Sequence, residues 1–106
     1  MSAESPGCAA ACLLLAMESA PDLRVLRRWW AQHNYILPAL PDDDRALVLV
    51  AFCRQAIDLV ADLAELADWW TAFNGMIRAL APASRSAIIA AKDARKIALA
   101  ELSISV

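Results

Sequence analysis

Asp62-Leu-Ala-Glu-Leu-Ala-Asp-Trp-Trp-Thr-Ala-Phe-Asn74 decides the fold, because Asp22-Leu-Arg-Val-Leu-Arg-Arg-Trp-Trp-Ala-Gln-His-Asn34 stands 40 positions before it. Asp, both leucines, the Trp-Trp pair and the final Asn coincide, and the match continues with Ala39-Leu40 on Ala79-Leu80, Arg45 on Arg85 and Ala51 on Ala91. Chance seldom aligns two Trp-Trp pairs. A period of this length marks a supersecondary unit that cannot bury its apolar face alone and must stack on a neighbour. The unit reads as helix, short turn, helix, and the expected fold is all-α: a compact four- to five-helix bundle built from a duplicated unit of 40 residues.

Within each first helix, Leu23, Leu26, Trp30 and Leu37 fall at helical spacing, as do Leu63, Leu66, Trp70 and Ile77. Such stripes face a core, so Trp30 and Trp70 are expected to be core residues. Trp29 and Trp69 lie about 100° round the helix from them, on a flank that is either a second buried face or an exposed aromatic patch. Ser19 with Asp22 is the expected cap of the first helix and Asp62 of its counterpart, with Pro21 placed where a missing N–H does no harm. Leu37-Pro-Ala-Leu-Pro41 and Leu80-Ala-Pro82 read as the turns, since proline stops one helix and starts the next. Ala46 to Cys53 is apolar all round and belongs at the centre. No Pro or Gly separates Asp43 from Asn74, and a bend is expected near Asp58 to Asp62. A leading helix completes one domain over 1–106: a flexible N-terminus 1–7, the leading helix 8–18, repeat units 19–58 and 59–100, and a tail 101–106.

Composition narrows the class. Hydrophobic residues make up 60% and charged residues 21%, with mean hydropathy +0.46, more apolar surface than one small core absorbs. The longest uncharged apolar run, Cys8 to Met17, is about half the roughly 20 residues that span a bilayer. Met1 to Gly7 contains Glu4 and no Lys or Arg, the wrong charge for a signal peptide. The expectation is a soluble cytoplasmic protein without membrane contact, its three cysteines reduced and in the core. A net charge of −2 argues against wholesale coating of nucleic acid.

No catalytic apparatus is expected, nor any cofactor or metal. The chain has one histidine, His33, which Phe73 replaces in the second copy, so it reads as a packing residue. With two glycines the chain has no phosphate-binding loop. Asp42-Asp43-Asp44 after Pro41 reads as a helix start with a favourable dipole interaction rather than a cation site. Asn34 and Asn74 read as caps of carbonyls. The charges offer candidate partner-binding residues. Arg24, Arg27 and Arg28 share one helical face, and Lys92, Arg95 and Lys96 repeat that spacing near the end of the chain. Between them Asp58, Asp62, Glu65 and Asp68 form an acidic stripe. Separate basic and acidic surfaces beside Trp29 or Trp69 suit docking on a charged partner.

The pattern Leu66-x-x-Trp69-Trp70-x-x-x-Asn74-x-x-Ile77-x-x-Leu80, followed by Arg85, Ile88 and Lys92-x-x-Arg95-Lys96-x-x-Leu99, resembles a short helical module of phage and prophage proteins, similar to segments attached to recombination proteins of the ERF and RecT kind. The second copy fits better than the first, where Phe52 and Cys53 stand at the positions of Lys92 and Asp93. The resemblance implies a phage or mobile-element origin without carrying over annealing activity. The expected function is a non-enzymatic accessory protein that binds another protein, such as an inhibitor of a host defence or recombination component. Two alternatives stand beside it: a single-stranded nucleic-acid accessory using Arg24, Arg27, Arg28, Lys92, Arg95 and Lys96 with an exposed Trp, and a homodimer whose seam is Ala46 to Cys53.

Overall fold

The computed structural model describes residues 7–105. Apart from Gly7, the N-terminus expected to be flexible lies outside the described residues. The chain is all-α: α1 (Cys8–Glu18), α2 (Leu23–His33), a 3-10 segment (Asn34–Ala39), α3 (Asp42–Leu59), α4 (Leu63–Arg78) and α5 (Pro82–Ser105). The last helix continues to Ser105, into the positions expected to form a tail.

Both repeat units open on an aspartate. Asp22 and Asp62 hold extended backbone, and each carboxylate accepts from the backbone N–H three residues on, at 2.9 Å from Val25 and 2.8 Å from Glu65. Ser19 is not the cap expected of it: it ends α1, its hydroxyl donating to Leu15 O at 3.0 Å. The units then diverge for a reason written in one residue. Pro38 cannot extend a helix, so α2 ends at His33 and the chain tightens into the 3-10 segment that contains it. Arg78 takes the equivalent place and carries no such restriction, so α4 runs straight to it.

The second unit also buries a rolled face. Leu23, Leu26, Trp30 and Leu37 are all buried, as their spacing demands. In α4 the buried stripe is Leu66, Trp69 and Ile77, with Phe73 packed against it. Trp69, a candidate surface residue, is 0% exposed, while Leu63 is 39% exposed and Trp70 half-buried. Positions 66, 69, 73 and 77 share one face of this unbroken 16-residue helix.

Helix α3 is central, packing against α1, α2 and α5, and α4 packs on α5. Val48, Phe52, Cys53, Ala56 and Ile57 are buried on it, and only Leu47 of the run Ala46–Cys53 is exposed. Of the run offered as one alternative, a seam between two copies, Val48, Phe52 and Cys53 are thus buried within a single chain. Phe52 is the hub of the aromatic core: 3.9 Å from Trp30 in a stacked arrangement, 5.3 Å from Phe73 edge-on and 6.2 Å from Trp69, between ring centres. The break before α4 falls at Val60, whose carbonyl accepts from Arg95 Nη2 at 2.9 Å.

The cysteines divide. Cys8 and Cys12 are exposed, against expectation, because α1 is apolar all round and turns Ala10, Leu13 and Met17 inward instead. Cys53 is buried, and burial pushes its thiol from 9.0 up to about 12. The unfolded chain releases this proton near pH 9 and the folded chain keeps it to about 12, so this contribution is whole below pH 9 and is lost as pH rises through that window. Native protein should titrate two thiols with Ellman's reagent and the third only in denaturant. Urea unfolding should show stability declining above pH 9, and less steeply in Cys53→Ala.

Candidate functional site

Position 52 of the first unit and position 92 of the second occupy the same place in the repeat. In the first unit Phe52 stacks on Trp30. In the second, Lys92 stands there, its ammonium 4.5 Å from the centre of the Trp70 ring, a cation–π contact. The other positions around this pair follow suit. Leu23, Leu26, Trp30, Phe52 and Ala56 are buried in the first unit. Their counterparts Leu63, Leu66, Trp70, Lys92 and Lys96, with Ala67, line an open groove of about 240 Å3 between α4 and α5. Leu66 forms its buried floor and Trp70 is half-buried in its wall. Toward the start of α4 the groove passes, at Leu63, into a second depression lined by Ala61, Asp62, Ala64, Leu99 and Leu102. Leu102 is 61% exposed there.

The walls are tied together locally. Asp62 caps α4 from within, and Glu65 Oε1 accepts from Ala61 N at 2.8 Å, tying the segment before the helix to its first turn. Lys92 is held between the Trp70 ring and Asp93 Oδ1, 3.3 Å from its ammonium. Among the described residues no carboxylate of α4 lines the groove beside Lys92 and Lys96. The lysines therefore face an apolar wall.

The remaining candidates separate. Arg95 turns inward to Val60, and its Nε is buried without a hydrogen-bond partner, so it is a structural residue rather than a surface one. Arg24 and Arg27 line a groove with Leu23, Glu65 and Asp68, so the basic face of α2 and the acidic stripe of α4 confront each other instead of forming separate surfaces. Among the described residues no ion pair within 4 Å joins them; Arg27 sits 5.8 Å from the Phe73 ring centre. Arg28 is exposed outside that groove. Asp58 lies elsewhere again, in a depression with Arg54, Gln55 and Glu18. Trp29 is half-buried and stacked on His33, with ring centres 5.1 Å apart. The exposed aromatic is Tyr35, at 74%, which periodicity did not single out because it lies in the 3-10 segment.

His33 Nδ1 lies 2.8 Å from Trp29 O. A carbonyl can only accept, so Nδ1 carries a proton. Cys12 lines the same depression as His33, but no hydrogen bond joins their side chains. Asn34 caps α2, donating to Trp30 O at 2.9 Å, whereas Asn74 lies inside α4. Asp44 Oδ2 accepts from Gly7 N at 3.1 Å and Asp42 pairs with Arg45, so two of the three aspartates are already engaged. Among the described residues no group of three His, Cys, Asp or Glu side chains is placed to hold a metal ion. No described helix is long and apolar enough to cross a membrane.

Comparison with protein-family models, curated proteins and solved structures finds no match to this chain.

Proposed function

We propose that this protein is a non-catalytic binding module whose docking site is the α4–α5 groove, and that its ligand is another protein. One observation carries the reading: the repeat positions that are buried in the first unit form an open apolar groove in the second. An exposed groove of this kind, with aliphatic and aromatic walls and charge at its rim, has the anatomy of a protein interface. The resemblance to phage recombination segments supports placing the partner in a host defence or recombination system. The single-strand reading loses support on two points: Trp69 is buried and Trp29 is stacked on His33, and Arg95 is engaged by Val60.

The test is affinity capture by the tagged protein from lysate of the cells that encode it, with and without nuclease, read by mass spectrometry. The expected result is a protein retained in good yield after nuclease treatment. Recovery that vanishes with nuclease would move the assignment to nucleic acid. Self-capture alone would move it to a homo-oligomer.

A further inference from the structure

In a stacked repeat each unit's open face is covered by the first helix of the next. α4 does this for the first unit: its Trp69 and Phe73 pack on Phe52 of α3, while its Glu65 and Asp68 share a groove with Arg24 and Arg27 of α2. The second unit has no described helix in the corresponding place. From this geometry we infer that the partner supplies it: an amphipathic helix seated in the α4–α5 groove and reaching position 92 as the Trp69 and Phe73 side chains of α4 reach Phe52, apolar and aromatic on its inner face, with carboxylates directed at Lys92 and Lys96. The inference rests on the protein-binding reading and specifies the partner's chemistry.

Charge decides where the carboxylates belong. Arg24 and Arg27 of the first unit become Ala64 and Ala67 in the second, and Phe52 and Ala56 become Lys92 and Lys96. The basic rim has moved from the first helix of the unit to the second. Two carboxylates three or four residues apart share one face of the incoming helix and meet the two lysines, which are themselves four apart. A helix also suits the walls chemically. The groove presents no strand edge, since both walls are helices, so an extended peptide would find no backbone ladder to join, whereas a helix arrives with its own backbone bonds made. From Leu63 to Trp70 the wall is about two helical turns long.

Charge also argues against a second copy of this chain. The helix that would continue the stack is its own α2, which carries Arg24, Arg27 and Arg28. α1, apolar and exposed at Leu15, carries a single carboxylate, Glu18 at its last residue, and so lacks the pair.

The probe is a synthetic peptide of residues 62–78, the helix that plays this part for the first unit, titrated into isotope-labelled full-length protein and followed by amide shifts. The expected result is saturable shifts centred on Leu63, Lys92 and Lys96. The Lys92→Glu/Lys96→Glu protein should bind about tenfold more weakly, two rim pairs at about 0.7 kcal/mol each. Binding should return with the peptide carrying Glu65→Lys and Asp68→Lys. No shifts at millimolar peptide, shifts outside the groove, or binding indifferent to both charge reversals would overturn the inference. If the peptide fails while a captured protein is still retained by the Lys92→Glu/Lys96→Glu variant, the partner chemistry is wrong and the binding reading survives. If nothing is captured either, both fall.

Discussion

Phe52→Ala should cost about 4 kcal/mol of folding stability, the loss expected for emptying a fully buried aromatic site. Phe52 is 0% exposed and lies between Trp30 of α2 and Trp69 and Phe73 of α4, one helix from each repeat unit. Its removal opens a void that three large rings on two other helices cannot close without abandoning their own contacts. A domain of this size has about 5–15 kcal/mol in total, so the variant should melt roughly 20 °C lower and lose the near-ultraviolet circular dichroism of its tryptophans first. A loss under about 1.5 kcal/mol would mean that the rings do not form one core.

The two tryptophans of α4 should behave oppositely to what the repeat implies. By analogy with Trp30, truncating Trp70 should do the greater damage. The structure buries Trp69 instead, with its ring stacked 5.1 Å from Phe73, while Trp70 is half-buried in the groove wall. Trp69→Ala should therefore cost about 4 kcal/mol and Trp70→Ala about 1–2 kcal/mol, both read by urea unfolding. Trp69→Phe sharpens the contrast. The Trp69 indole N–H is buried without a hydrogen-bond partner, which costs about 1–3 kcal/mol. Removing that donor offsets much of the lost ring area, so Trp69→Phe should stay within about 1 kcal/mol of the parent.

Much of this fold was legible because the sequence states it twice. The 40-residue shift marks two helical hairpins, the prolines mark the turns, and the charge-free run of α3 marks the central helix. The choice between Trp69 and Trp70 was not legible. Adjacent tryptophans are equally apolar and both lie on stripes of helical spacing, so only the packing of α4 selects one. The exposure of Cys8 and Cys12 was hidden likewise, since a helix without charge between Cys8 and Met17 gives no polar side to read. The meeting of Arg24 and Arg27 with Glu65 and Asp68 depends on α2 lying beside α4, which helical periodicity cannot report. The groove did leave a trace: Lys92 where the first unit has Phe52 is the departure that converts a closed seam into an open one.

The central claim is that the α4–α5 groove is the docking surface, and it is tested most directly by blocking that groove without disturbing the core. Leu63→Glu with Ala67→Glu changes two exposed positions on its α4 wall, and circular dichroism would verify that the helices remain. Captured from nuclease-treated lysate beside the parent, this variant should retain less than about a tenth of the partner, since two charges set against an apolar contact remove more than 1.4 kcal/mol of affinity. Retention equal to that of the parent would place the binding surface elsewhere and contradict the account.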